Sequence, residues 1–179
     1  MKKIYAALLT TVIFCAGSFA QKGNNFIGVG GDLSLPTGQF ATYYRAGMGG
    51  YIKGLFGVGK SGQVTLTTGY SSFKGVANDD VTRTAGILPL LIGYRANFNR
   101  FFVEPQIGYA LYPYKMNSFE DGYETLTGNA FNWAAGIGYV FNNRIEVSAR
   151  YQNGSNGGTT VGLFGLRIGY NISLATSKK

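Results

Sequence analysis

The sequence predicts an all-β fold, a closed eight-stranded antiparallel up-and-down transmembrane β-barrel. Three observations carry that expectation. Eight segments alternate apolar with small or polar residues at a period of two, which is what a strand with two unlike faces requires. The gaps between these segments alternate short and long. Charged residues make up 13% of the 179 residues, against roughly 25% in an ordinary soluble domain, while aromatics reach 15% and glycine numbers 28. A hydrophobic share of 45% excludes a disordered chain, and glycine without a Gly-X-Y period excludes collagen.

The first twenty residues read as an export signal. Lys2 and Lys3 precede an apolar run from Ile4 to Ala16, and Ser18 and Ala20 put small residues where a signal peptidase cleaves. The run is too short for a membrane helix, which needs about 20 apolar residues. Cleavage after Ala20 leaves a chain starting at Gln21, with a barrel over 21–173 and a short tail over 174–179. Cys15 follows the bulky Phe14, unlike the acylated cysteine of a lipoprotein signal. Loss of this single cysteine leaves no disulfide, thiolate nucleophile or cysteine metal site. Loss of Lys2 and Lys3 lowers the formal charge from +8 to +6.

The eight segments follow in order. The first sets Ile27, Val29, Leu33 and Leu35 against Gly28, Gly30, Asp32 and Ser34. In the second, Ala46, Met48, Ile52, Phe56 and Val58 oppose Arg45, Gly47, Gly49, Tyr51, Lys53 and Gly57. The third sets Val64, Leu66 and Tyr70 against Gln63, Thr65, Thr67, Gly69 and Ser71. Leu88, Leu90, Ile92, Tyr94 and Phe98 share one face of the fourth, with Arg95 and Asn97 on the other. The fifth has Phe101, Val103, Ile107, Tyr109 and Leu111 against Glu104, Gln106, Gly108 and Ala110. In the sixth, Phe131, Trp133, Ile137, Tyr139 and Phe141 oppose Asn132, Gly136 and Gly138. Ile145, Val147, Ala149 and Tyr151 form the apolar face of the seventh, and Phe164, Leu166, Ile168, Tyr170 and Ile172 that of the eighth. Their other faces carry Glu146, Ser148, Arg150, Arg167, Gly169 and Asn171.

Tight gaps follow the second, fourth and sixth segments, at Gly59 to Gln63, Asn99 to Arg100 and Asn142 to Arg144. Longer ones follow the others, at Pro36 to Tyr44, Ser72 to Thr84, Tyr112 to Asn129 and Gln152 to Thr160. Turns at one end and loops at the other match a barrel with its turns in the periplasm and its loops outside the cell. No later stretch is long and apolar enough for a spanning helix, so a membrane role must rest on strands. Alternation alone also fits a soluble ligand-binding barrel, which buries its apolar face. Composition favours the apolar face outward: the polar faces are mainly Gly, Ser, Thr and Asn, not the Lys- and Glu-rich cover of a soluble surface. Tyr94, Phe98, Phe101, Tyr139, Phe141, Tyr151 and Tyr170 stand near the ends of apolar faces, where interfacial girdles sit.

Three passages carry a family resemblance: Leu88 to Arg95 (LPLLIGYR), Phe102 to Tyr109 (FVEPQIGY) and Gly165 to Tyr170 (GLRIGY). With them the mature chain resembles the small eight-stranded outer-membrane barrels of Gram-negative bacteria, the OmpA/OmpX type. The resemblance implies an outer-membrane location, contact with lipid and lipopolysaccharide, delivery by the outer-membrane assembly machinery, and a monomer. Members of that family usually end on an aromatic residue that the machinery reads, whereas here Tyr170, Asn171 and Ile172 are followed by Ser173 to Lys179.

Among the charges, Arg95 and Glu104 form the most specific pair. A two-residue turn at Asn99 and Arg100 pairs Phe98 with Phe101, and therefore sets Arg95 opposite Glu104 on the inward face. A lumen ion pair is expected, as a structural plug or as a gate, with Asp32, Lys53, Glu146, Arg150 and Arg167 extending it into a network. The longest gap mixes aromatics and acids, and Tyr114, Glu120, Asp121, Tyr123 and Glu124 are its candidates for contact with an extracellular ligand. The carboxylates there lack EF-hand spacing, and no metal site or cofactor is expected.

Catalysis is not expected. The enzymes known on barrels of this size, lipid A deacylases, palmitoyltransferases, phospholipases and omptin proteases, use a histidine, and this chain has none. The hydroxyls of Thr67, Thr68, Ser71 and Ser72 have no identifiable base beside them. Glycine runs at Gly28 to Gly31 and Gly47 to Gly50 lack the helix and lysine of a phosphate cradle. The basic residues are scattered rather than clustered, so no nucleic acid is expected. A structural or surface-interaction role through the long loops follows, with a narrow-lumen channel or transporter-like barrel as the competing function.

Overall fold

The computed structural model of the chain describes residues 24–76, 82–118, 122–156 and 159–174, with side chains except at 82, 116–118, 122–125, 156 and 159. The expected export signal and most of the expected tail lie outside the described residues. The eight strands are β1 (Phe26–Thr37), β2 (Gly47–Val58), β3 (Gly62–Lys74), β4 (Thr82–Phe98), β5 (Phe101–Ser118), β6 (Gly122–Phe141), β7 (Ile145–Asn156) and β8 (Thr159–Ser173). One short helix, α1 (Gln39–Tyr43), lies between β1 and β2. Each strand pairs antiparallel with its neighbours in sequence, and β8 returns to β1 from Phe26↔Ser173 to Thr37↔Gly162, which closes the barrel.

The turn end is tight because asparagines accept left-handed backbone there. Asn99 has φ 62° and links Phe98 to its partner Phe101. Asn142 and Asn143, at φ 48° and 57°, turn the chain so that the Arg144 amide donates to the Phe141 carbonyl at 3.0 Å, a type I′ turn. At the loop end the strands run further than their apolar alternation. β5 and β6 continue their pairing to Ser118↔Gly122, so most of the expected loop from Tyr112 to Asn129 is a strand hairpin. Tyr114, Tyr123 and Glu124 accordingly belong to strands and not to a loop, while Glu120 and Asp121 fall outside the described residues. A ladder needs only paired amides, and beyond the apolar belt its outer face no longer has to be apolar, so alternation stops before the strand does.

Side-chain parity follows the period-two reading. Leu90, Ile92, Ile107, Ile137, Leu166 and Ile168 face outward and are all about half exposed or more, whereas Lys53, Arg95, Glu104, Glu146, Arg150 and Arg167 face the lumen and are buried. Two aromatic bands bracket the aliphatic zone. On the turn side, Phe101 and Phe141 each meet Tyr139 edge-on, with ring centroids 4.8 and 4.6 Å apart. On the loop side, Tyr109 meets Phe131 at 5.9 Å and Trp133 meets Tyr151 at 5.7 Å. The ten steps from Phe101 to Leu111 span roughly 33 Å along the strand, or about 25 Å along the axis of a barrel whose strands tilt by about 40°.

Closure depends on small residues at the seam. A Cβ on Gly30 would strike the Ile168 carbonyl oxygen and lie 2.9 Å from the Tyr51 ring, whereas one on Gly50 would meet only the Gly30 carbonyl oxygen, at 3.5 Å. Gly30→Val is therefore expected to abolish the fast-migrating folded band of the unheated protein on a gel, and Gly50→Ala to retain it. A folded Gly30→Val barrel would contradict the seam geometry.

Candidate functional site

The lumen is filled in three tiers. Toward the turn end two carboxylates and two cations, brought from four strands, form a closed square. Lys53 Nζ on β2 lies 2.9 Å from Glu104 Oε2 on β5 and 3.2 Å from Glu146 Oε1 on β7. Arg95 Nη2 on β4 lies 3.0 Å from Glu104 Oε2 and 2.8 Å from Glu146 Oε2. The turn at Asn99 and Arg100 puts Arg95 beside Glu104, and inward parity delivers the other two across the lumen. Glu104 also accepts hydrogen bonds from Thr65 Oγ1 at 2.8 Å and Gln106 Nε2 at 2.9 Å. Glu146 accepts from Asn171 Nδ2 at 3.4 Å. The Arg95 guanidinium stacks 3.7 Å from the Phe102 ring centroid. All four charged side chains are at least 95% buried, so each relies on its partners in place of water.

The other three expected lumen charges stand apart from this square. Asp32 accepts from Ser34 Oγ at 2.9 Å and Ser71 Oγ at 3.0 Å, and its residue pairs with Arg167 across the β1–β8 seam. Arg167 stacks over the Tyr51 ring at 4.5 Å, and its buried Nε has no hydrogen-bond partner. Arg150 Nη1 reaches Gln106 Oε1 at 3.5 Å. Among the described residues neither arginine forms an ion pair. Of the seven expected network charges, four form the square, Arg150 connects to it only through Gln106, which donates to Glu104, and Asp32 and Arg167 stand outside its ion pairs.

Nearest the loops, beyond Arg150, Asn132 and Gln152, the lumen is apolar. Phe73, Ala85, Ile87, Ala110, Tyr112, Val161 and Leu163 pack into one buried cluster, and α1 drops Phe40 onto it, 5.5 Å from Phe73. A buried polar group, Asn132, sits beneath the cluster. It donates to Tyr112 Oη at 2.8 Å and to the Ala130 carbonyl at 3.2 Å, and accepts from Gln152 Nε2 at 2.9 Å. Outside the plug lies a cavity of about 330 Å³ walled by Phe40, Tyr43, Tyr44, Tyr114, Leu126 and Val161, with Arg83 at its edge. Burial there raises the Tyr44 hydroxyl above the usual tyrosine range, against the opposing pull of Arg83. Of the expected contact residues, Tyr114 is the one with a described side chain, and it lines this cavity. Below the square, the turn end opens into a polar vestibule of about 420 Å³ lined by Asn24, Gln63, Asn97 and Asn171 and ending at Arg95.

The apolar tier of the plug was not anticipated from sequence. Phe102 and Tyr112 share parity with Glu104, and that shared parity is the signal that could have put both in the lumen.

Replacing Arg95 with Leu leaves two buried carboxylates to share Lys53. The expected loss is about 3–5 kcal/mol of folding stability, read as a lowered urea midpoint of the refolded barrel. An unchanged midpoint would show that the square contributes nothing to stability.

No protein-family model matches the chain, and no curated protein matches it in sequence. Solved structures do resemble it. Ail, the attachment invasion locus protein of Yersinia pestis, in its complex with the heparin analogue sucrose octasulfate, aligns with a TM-score of 0.66 at 15% identity, over 85% of this chain and 100% of that one. The N-terminal β-barrel domain of Pseudomonas aeruginosa OprF gives 0.60 at 18% identity, over 84% and 100%. The outer membrane protein OprG from Pseudomonas aeruginosa gives 0.53 at 10% identity, over 88% and 99%. At these identities the likeness is one of fold, and the fold is the closed eight-stranded antiparallel barrel of the small OmpA/OmpX-type outer-membrane proteins.

Proposed function

We propose that this chain is an integral outer-membrane barrel with a closed lumen and a structural or surface-contact role exercised at its loop end. The observation that carries the reading is the outward aliphatic belt between two aromatic bands, around a lumen filled with side chains. A water-facing surface of that composition would be an aggregation hazard, whereas a bilayer solvates it. Export with cleavage after Ala20, outer-membrane lipid and lipopolysaccharide as surroundings, delivery by the assembly machinery, and a monomeric state complete the proposal. The reading assigns the barrel no reaction: four of its lumen charges are tied to one another in the square.

The loop end is the contact surface. Its aromatic cavity, with Arg83 at the edge and Tyr114 in the wall, is open while the lumen beneath it is plugged. The likeness to Ail, a protein of attachment and invasion solved with a heparin analogue, supports a surface-contact role of this kind. A second reading rests on the polar vestibule, which brings solvent from the turn end as far as Arg95. If the square opened, a narrow channel would need only to pass the plug.

Two measurements test these readings. Leu166→Arg is expected to cost about 2–4 kcal/mol in lipid vesicles, the penalty of a cation on the lipid face near the bilayer midplane. A soluble barrel would tolerate it and would be recovered from the periplasmic fraction. In planar bilayers the wild-type protein is expected to be electrically quiet. Sustained conductance that disappears on changing Lys53 or Glu146 would establish the channel in place of the closed barrel.

A further inference from the structure

Lumen charges do not balance. Lys53 and Arg95 are matched by Glu104 and Glu146 in the square. Asp32 stands opposite Arg167 across the seam. Arg150 is left over, so among the described residues the lumen carries four cations and three carboxylates, an excess of one positive charge. A lysine or histidine in that position could shed its proton; a guanidinium does not. An uncompensated buried charge is among the costliest features a fold can hold, which favours a bound counter-ion beside it.

The geometry locates that group. Ser148 pairs with Arg167 and Gly165 with Arg150, so the two arginines are diagonal neighbours on the lumen face of β7 and β8. Both are more than nine-tenths buried. They share a small cavity with Lys53, Glu104, Gln106, Ser148, Gly136 and Phe102, about 10 Å³ in volume, which is room for one water-sized sphere; its lining holds three cations against the one carboxylate, Glu104. Arg167 Nε is buried without a hydrogen-bond partner, and the side-chain hydrogen bond of Arg150 among the described residues is a long 3.5 Å contact to Gln106. Gly136 keeps the space open: a Cβ there would lie 3.2 Å from that of Arg150.

We propose that Arg150 and Arg167 bind a single monovalent inorganic anion of halide size, which neutralises the lumen and forms part of the folded barrel. One negative charge balances the described lumen charges, the cavity admits a monatomic or similarly small ion, and the donors are guanidinium N–H groups. Larger oxyanions and carboxylates do not fit. The site does not depend on whether the loop end contacts a partner.

The full mature chain, refolded in bromide and separately in gluconate at equal ionic strength, tests the site. Bromide is expected to raise the thermal unfolding midpoint by at least ~2 °C over gluconate, because an ion held only by the folded state stabilises it. Arg150→Met and Arg167→Met, which each remove the excess charge, are expected to erase the difference between the two salts. Crystals of the wild-type protein grown in bromide are expected to show an anomalous peak between the two arginines, a readout that does not depend on the variants folding. Equal wild-type midpoints together with no anomalous peak would overturn the proposal in favour of water alone. A salt difference that persists undiminished in both variants would overturn it in favour of an ion bound elsewhere.

Discussion

Everything in this barrel depends on closing the ladder between β1 and β8. A wall surrounded by hydrocarbon must pair its own amides, and an open sheet would leave two unpaired edges. The seam runs through twelve successive residue pairs, and once it is made the register of the other seven interfaces is no longer independent. A slip of one residue anywhere would turn that strand inside out, putting Arg95 or Glu146 on the belt and Ile92 or Val147 in the lumen. The seam is also where the smallest residues collect. Gly30 and Gly169 pair across it, and the Tyr51 ring lies against both, in a position to stack on Arg167. Closure and lumen chemistry are therefore coupled: space that lets two backbones meet also seats the ring that supports a buried cation.

Eight strands enclose a space about as wide as the side chains that fill it, so what fills the lumen decides what passes through it. Charges can occupy such a space only if each replaces its lost water. Glu104 does so with Lys53, Arg95, Thr65 and Gln106, which together leave its oxygens few free lone pairs. Because both carboxylates touch both cations, no single contact opens the square: separating Arg95 from Glu104 still leaves each anchored to a second partner. The Phe102 ring under Arg95 adds a face that neither charge could displace without breaking barrel packing. This interlocking is what makes the tier a plug and not a pair of adjacent ion pairs.

The fold was legible in sequence because a period of two is a strong signal when the two faces meet such different surroundings. Leu88 through Phe98 could be assigned to one face on parity alone, and a two-residue turn then fixed Arg95 against Glu104 without knowledge of any other strand. What was not legible has a physical reason in each case. Lys53 and Glu146 meet across the lumen, a contact set by barrel curvature and stagger that no pairwise register contains. Phe73, Ile87 and Tyr112 are apolar residues on the inward face, so they weaken the alternation at the place where the lumen becomes a core. The hairpin of β5 and β6 extends past the belt, where parity carries no hydrophobic contrast and the residues read as a loop. Asp32 was grouped with the lumen charges on parity alone, yet Ser34 and Ser71 satisfy it locally, and hydroxyls on neighbouring strands are too common a feature to flag such a partner in advance.

The two ends of the barrel are built to different standards. At the turn end the backbone reverses in two or three residues, and exposed arginines fold back onto the girdle, Arg144 reaching Tyr170 Oη at 2.9 Å. Nothing there is elaborated beyond what closing the chain and holding an interface demand. At the loop end the chain spends a helix, long hairpins and a buried cluster of aromatic and aliphatic side chains. An apolar plug is a poor way to make a pore, since water and ions would have to cross it unsolvated, but it is a firm foundation for a surface. Phe40 anchors α1, Tyr44 packs between Phe40 and Tyr114, and the resulting wall presents an aromatic hollow with one arginine at its edge. A rigid floor beneath such a hollow lets contact at the rim be made without loss of order in the barrel, whereas a water-filled lumen would leave the same side chains without support. The sealed lumen and the furnished rim are thus one design: sealing the lumen is what gives the rim something to stand on.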